Sequence, residues 1–349
     1  MSSYLFPIQG QPLFLFLNNC LHYRLIKIIW GKGMPFISKK HFIFGAILAS
    51  CAATMWGFSG VTVSMLFKLN PAMTPLWVCQ VRMLAAAIMM LVLCQVRGEH
   101  PFKVWHDRFA LVKLVAYAFL GLVPVQFCYF KTVEYGNAPI ATILQFLGPF
   151  VITLYYLIFK RQKPTVTETA GLVIAFLGTL LIVTHGHLNQ LAVAPTVIFW
   201  GFLSAIGVAA NAIIPREIIP EYGTLSVTGW GMLIAGGTLN LYQPFWRQKV
   251  TVTPIDLGLL LITILVGTGI AFLLYSTSLL YILPTTATLL DAFEPLSATF
   301  FAVLLVHTHL QRMDFIGGAI IILAVVIITT NIPNLLVKKA PAEQQTKTN

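Results

Sequence analysis

Two carboxylates, Asp291 and Glu294, stand in the stretch Thr-Leu-Leu-Asp-Ala-Phe-Glu-Pro-Leu-Ser-Ala (288–298), inside a long apolar run. A carboxylate in an apolar medium loses several kcal/mol of hydration unless it is protonated, paired or facing water. At i and i+3 on a helix the two share a face, and intramembrane acids generally look into a bundle or a water-filled cavity. There they would bind a cationic group or exchange a proton. Pro295 has no N–H, so the carbonyl four residues back, that of Asp291, is expected to lose its helical partner, and Pro149 is expected to do the same to Gln145. Such breaks are tolerated at membrane depth where protein or a water-lined cavity satisfies them. Arg82 is the cation lying well inside an apolar run, a counter-charge for these acids or for a ligand carboxylate. Trp56, Gln126, Tyr129, Asn211 and Tyr275, with Gln145, add mid-run groups able to hydrogen-bond or stack on a ligand.

Other chemistries are weaker. His185-Gly-His187 and His307-Thr-His309 each offer two metal ligands, but neither has Cys or further His nearby, so no metal site is expected. Lys131 and Glu134, also i and i+3, read as an interfacial pair. Gly57-Phe58-Ser59-Gly60 matches the Gly-x-Ser-Gly wording of intramembrane serine proteases. A nucleophilic serine needs a base within about 3 Å, and the histidines all lie in tails, loops or run ends. There is no phosphate-binding Gly-x-x-x-x-Gly-Lys-Ser/Thr loop, and no ligand set for haem, flavin or iron–sulfur, so no cofactor is expected. The five cysteines show no Cys-x-x-Cys spacing and read as small buried residues.

The elements that must position these groups follow from composition. The chain has 349 residues, 58% hydrophobic and 9% charged, against about 25% charged in soluble domains. Apolar runs recur at 42–66, 73–96, 112–134, 138–159, 168–184, 193–215, 222–244, 257–281, 285–306 and 313–333. Each can cross ~30 Å of hydrocarbon at 1.5 Å per residue, which predicts an all-α membrane protein of ten transmembrane helices. The run from 257 to 290 is divided at Leu283-Pro284, where proline disfavours helix continuation.

The net charge of +11 is distributed as topology. With the N-terminus cytoplasmic, inside segments hold 16 of the 22 Lys and Arg and outside loops hold five, leaving Arg82. Both termini are therefore expected inside a plasma membrane. The basic excess is expected to meet anionic headgroups of the bilayer rather than nucleic acid. The extension 1–41 carries short apolar runs without a convincing cleavage site; Met34 is a candidate start, and the alternative is a cationic segment on the inner membrane face.

Sliding the chain by 146 residues lays 129–184 over 275–330 without a gap. Tyr129 meets Tyr275, Ala141-Thr142 meets Ala287-Thr288, Pro149 meets Pro295 and Gly171 meets Gly317. Upstream, 82–87 lies over 231–236 at a slightly different offset. Proline and glycine matches at constant offset are hard to obtain by chance. Ten helices then divide into two units of five, 42–184 and 193–333, before a polar tail, 334–349. Five being odd, the second unit enters the membrane inverted, a construction found in secondary transporters with a site near mid-membrane.

Met-Trp-Gly-Phe-Ser-Gly (55–60), Val-Arg-Met-Leu-Ala-Ala (81–86), Leu-Gly-Pro-Phe (147–150), Phe-Glu-Pro-Leu-Ser-Ala (293–298) and the glycine-led last helices of each half (Gly171, Gly317) together resemble the drug/metabolite transporter superfamily. The match is to its ten-helix type with two EamA-like repeats and covers about 42–333, with wording similar to members assigned to carboxylates, amino acids and amines. The resemblance implies a carrier of small metabolites working by alternating access without ATP; with the intramembrane acids, the expectation is a non-enzymatic carrier of a small polar metabolite with the proton as coupling ion. A homodimer is compatible with this. One departure stands out: where members often carry a Glu before the last helix of each repeat, this chain has Gln162 and Thr308. A channel or membrane sensor, and last a protease using Ser59, are the alternatives.

Overall fold

The computed structural model describes residues 39–338 apart from 136–137, 188–193 and 308–311. The Met34 start, the extension before residue 39, the tail from 339 and His309 lie outside the described residues. Those described form helices and short connections, with no strand among them. The long elements are α1 (Lys39–Leu69), α2 (Pro75–Val96), α3 (Arg108–Tyr135), α4 (Ala138–Gln145 and Gly148–Phe159), α5 (Val166–Thr184), α6 (Pro195–Ile213), α7 (Thr224–Tyr242), α8 (Pro254–Ser278), α9 (Pro284–Val306) and α10 (Arg312–Lys338). Among the described residues, eight of these are long and apolar enough to cross a membrane; α7 and α10 are the other two long helices.

Local sequence sets the helix ends. Thr74 precedes Pro75 and accepts the Trp77 N–H, Asp107 accepts the Phe109 N–H, and Thr165/Glu168 and Thr253/Asp256 form reciprocal capping boxes. Proline opens α2, α6, α8 and α9, where its missing N–H costs nothing. The ten runs foreseen from hydropathy coincide with α1 to α10 to within a few residues, except that α1 and α3 begin earlier and α10 runs past 333.

Two features of the helix interiors were not foreseen. In α3 the segments Tyr117–Leu122 and Pro124–Cys128 are π-helical, and in α8 so is Thr263–Ile270. At the 146-residue offset, 117–122 falls on 263–268, so the two halves widen at the same register. Each widened turn holds a glycine against a neighbouring helix: Gly121 faces the Asn211 backbone of α6, and Gly267 faces Ser59 of α1. The second feature is a correction. Both helix breaks are present, between Gln145 and Gly148 and between Leu290 and Phe293, but the Asp291 carbonyl is not free. The chain tightens there, and the Glu294 N–H donates to the Asp291 carbonyl at 2.9 Å, so the i+3 bond replaces the i+4 bond that Pro295 forbids.

The helices pack in exchanged pairs. α1 lies against α8 and α9, while α6 lies against α3 and α4; α2 runs along α7, and α5 along α10. One buried cluster joins α1, α4, α5, α6, α8, α9 and α10, and another is built mainly from α2, α3 and α7. Cys79, Cys94 and Cys128 are buried as expected, whereas Cys51 is exposed on the outside of α1.

One end of the bundle, the basic face, is clasped. Lys113 pairs with Glu217 at 2.7 Å, Lys103 with Glu221 at 3.8 Å, and the Tyr222 hydroxyl donates to Asp107 at 2.5 Å. The Arg216 Nε donates to the Leu279 carbonyl at 3.0 Å, and the Trp230 indole to the Pro101 carbonyl at 2.8 Å. At the opposite face Asn70 donates to Asp256 at 2.9 Å and Thr74 to Gln248 at 3.0 Å.

The Tyr222 hydroxyl, followed by the Phe109 N–H, holds the Asp107 carboxyl below its ordinary value of 3.8. A group with a depressed folded value stabilises the clasp above its unfolded value and loses that contribution as pH falls through the lower folded value. The Asp107 contribution to the clasp is therefore insensitive to pH between about 5 and 8. The thermal unfolding midpoint of Tyr222→Phe in detergent is expected to vary with pH over that window as the parent's does; a different dependence there would overturn this.

Candidate functional site

A cavity of about 420 Å³ lies at the centre of the described helices. It brings together every side chain expected to bind a ligand or proton and both helix-break prolines: Trp56 on α1, Arg82 on α2, Gln126 and Tyr129 on α3, Gln145 and Pro149 on α4, Asn211 on α6, Tyr275 on α8, and Asp291, Glu294 and Pro295 on α9. Its mouth is lined by Phe67, Pro75 and Val133 at the face opposite the clasp. No residue of the clasped loops 97–107 or 214–223 reaches it.

The floor is aromatic. The Trp56 ring lies edge-on to Phe272 at 5.1 Å and tilted against Tyr275 at 5.2 Å. Beside Trp56, α1 also crosses α9 at Gly57, where a Cβ would sit 2.4 Å from the Glu294 carbonyl oxygen and 2.7 Å from the Ala298 nitrogen. The sequence thus draws the Trp56 helix onto the backbone of the acid-bearing turn.

The polar groups divide into those committed to the protein and those left over. Gln145 donates to the Val125 carbonyl at 3.1 Å and to Ser204 at 2.9 Å, tying α4 to α3 and α6. Its NH2 group is therefore structural, although the residue lines the cavity. The Arg82 guanidinium donates to the Gln126 side-chain carbonyl. Among the described residues Arg82 makes no ion pair, and neither Asp291 nor Glu294 does. Five buried polar atoms of residues that line this cavity have no hydrogen-bond partner among the described residues: Ser59 Oγ, Arg82 Nε, Asn211 Oδ1, Tyr275 OH and Asp291 Oδ1. A buried unpaired polar group costs about 1–3 kcal/mol, and all five belong to residues around this one cavity.

These atoms are also sorted by position. Asn211, Tyr275 and Asp291 lie toward the helix ends at the basic face and offer acceptor oxygens, while Arg82 on α2 offers a donor. An ammonium suits the first group and a carboxylate the second.

Ser59 was weighed only as a nucleophile, yet it lies buried against Gly267 and lines the cavity. Thr142 and Thr288 also line it, and their match in the repeat was the signal that could have found them. Outside the cavity, Lys131 pairs with Glu134 at 2.8 Å, and His185 Nδ1 lies 2.7 Å from Asp314 across the ends of α5 and α10.

Long apolar helices packed around this cavity define a multi-pass helical membrane protein. A model of the EamA-like transporter family matches residues 43–184 and again 195–330, and the chain belongs to that family. It is 29% identical over 288 residues to the uncharacterized inner membrane transporter YicL of Salmonella typhimurium, spanning 82% of this chain and 95% of that protein. The uncharacterized transporter YxxF of Bacillus subtilis is 27% identical over 212 residues, 58% of this chain and 64% of its own length. A solved crystal structure shares the fold at a TM-score of 0.69 and 15% identity, covering 83% of this chain and 98% of the other. The chain is thus a transporter-family membrane protein.

Proposed function

We propose that the chain is a secondary carrier of a small polar metabolite, an amino acid or a related amine or carboxylate, coupled to protons and working in the plasma membrane. The observation that carries this is that Arg82, Asp291 and Glu294, with Asn211 and Tyr275, line one chamber of about 420 Å³, in a range suited to small-molecule sites of roughly 300–1,000 Å³. The positive-inside rule assigns the basic face and both termini to the cytoplasm, so the mouth faces outward. Alternating access follows if two inverted five-helix units, 42–184 and 193–333, rock about the chamber. The exchanged packing of α1 with α8 and α9, and of α6 with α3 and α4, supports this.

A matched pair of positions supports it further. At the repeat offsets Phe67 falls on Arg216 and Val133 on Leu279. Phe67 and Val133 line the open mouth, while Arg216 bonds to Leu279 across the closed face. A carrier open on one side has that asymmetry; a channel requires a path through both.

The test is uptake and efflux of a metabolite panel by reconstituted vesicles, with and without an imposed pH gradient. Gradient-dependent movement of amino acids, amines or carboxylates is expected, and movement of none of them would end the reading. Arg82→Gln is expected to raise KM for carboxylate-bearing substrates on the order of tenfold to a hundredfold, since a bond to a charged group contributes about 1.5–3 kcal/mol. Amines lacking a carboxylate should be little changed; an equal loss for both would remove Arg82 from carboxylate recognition.

A further inference from the structure

A second cavity, of about 410 Å³, opens beside the mouth of the first, between the ends of α2, α3 and α7. Pro75, Phe130 and Val133 line both, so a wall one side chain thick separates them. The outer rim carries Tyr242, 64% exposed, at the end of α7, a placement typical of aromatic residues at a membrane–water boundary.

The cavity is lined by the ammonium of Lys131 and the carboxylate of Glu134. The Lys131 Nζ donates to the Glu134 carboxylate at 2.8 Å and lies over the Phe127 ring at 5.9 Å and the Tyr135 ring at 5.7 Å. Tyr242 meets Phe127 edge-on at 5.4 Å and closes the aromatic side. A carboxylate with flanking aromatic faces is the arrangement that recognises organic cations. The Lys131 stem is long and flexible, and its side chain sits at a helix end where it can swing outward to water.

We propose that this cavity is a peripheral site for organic ammonium compounds carrying an apolar body, with Glu134 and the Phe127 and Tyr242 rings as the receptor and Lys131 as a built-in competitor. Phe130 forms the partition toward the central chamber. Binding here requires only the folded chain and holds whether or not the central chamber moves a metabolite, so a failed transport screen leaves the test standing.

The test is equilibrium binding of radiolabelled phenethylammonium to purified full-length protein carrying Asp291→Asn and Glu294→Gln, which silences the acids of the central chamber. In that background Lys131→Met is expected to tighten binding about tenfold, and Glu134→Gln to weaken it by a similar factor, the scale of one charge-assisted contact. Neutral 2-phenylethanol is expected to show neither change. Glu134 is exposed and its substitution leaves packing intact; should Lys131→Met fail to fold, Lys131→Gln gives the same readout. Unchanged phenethylammonium binding in Glu134→Gln would overturn the assignment. So would no binding at all in the background carrying Lys131→Met, which would place the cation in the central chamber only.

Discussion

Replacing Glu294 with glutamine, or Asp291 with asparagine, is expected to lower gradient-driven transport on the order of 100-fold, the loss expected from removing one charged hydrogen-bonding group worth up to about 3 kcal/mol. Both residues line the chamber, lie one helical turn apart, and make no ion pair among the described residues. Keeping unpaired acids at membrane depth costs stability, which a purely structural role leaves without return. The amides keep the volume and much of the hydrogen bonding, so both variants should enter the membrane and purify as single species. Substrate exchange without a gradient then separates the roles. A proton site keeps exchange and loses its response to pH; a substrate site loses both. Full gradient-driven activity in the two variants would take the carboxylates out of the mechanism.

The second large effect is steric. At Gly57 a Cβ would lie 2.0 Å from Ser297 Oγ, 2.4 Å from the Glu294 carbonyl oxygen and 2.7 Å from the Ala298 nitrogen. The serine can rotate, but the two backbone atoms cannot. Gly57→Ala must push α1 off α9 and is expected to cost about 1–3 kcal/mol, with Gly57→Val costing more. Gly60, one turn along the same helix, has nothing within 4 Å of such a Cβ. Thermal unfolding in detergent should therefore drop by several degrees for Gly57→Ala and hardly move for Gly60→Ala. Equal midpoints for the two would show that the α1–α9 crossing is not close in the working protein. Because the displaced contact is the Glu294 backbone, transport should fall further than stability alone explains.

Much of this was legible in the sequence. Apolar runs of sufficient length must be helices where backbone groups have no water to bond, and the positions of the runs gave α1 to α10. Asp291, Glu294 and Arg82 stood out because charge is expensive there. The helix breaks were readable from Pro149 and Pro295, since a missing N–H acts locally. What those breaks expose was not readable. The Asp291 carbonyl is recaptured by the Glu294 N–H, because the chain tightens by one residue at the break and the i+4 bond is closed by Pro295. Gln145 looked like a ligand group, yet its amide spans to α3 and α6, a contact no pattern along α4 announces. The π-helical turns were hidden because hydropathy reads length and composition, and an α-turn and a π-turn of the same residues score alike. The glycines at 121 and 267 were the available sign.

Those turns carry one more consequence. A π-turn closes its hydrogen bond over one residue more than an α-turn, so the helix is locally wider and the residues beyond it face a different way than an unbroken α-helix would turn them. Here 117–122 of α3 and 263–268 of α8 share that widening at one register, each time with a glycine turned to a neighbouring helix, while Pro124–Cys128 of α3 is widened with no counterpart in α8. The third helix of each half therefore changes its facing partway along, and that of the first half does so twice.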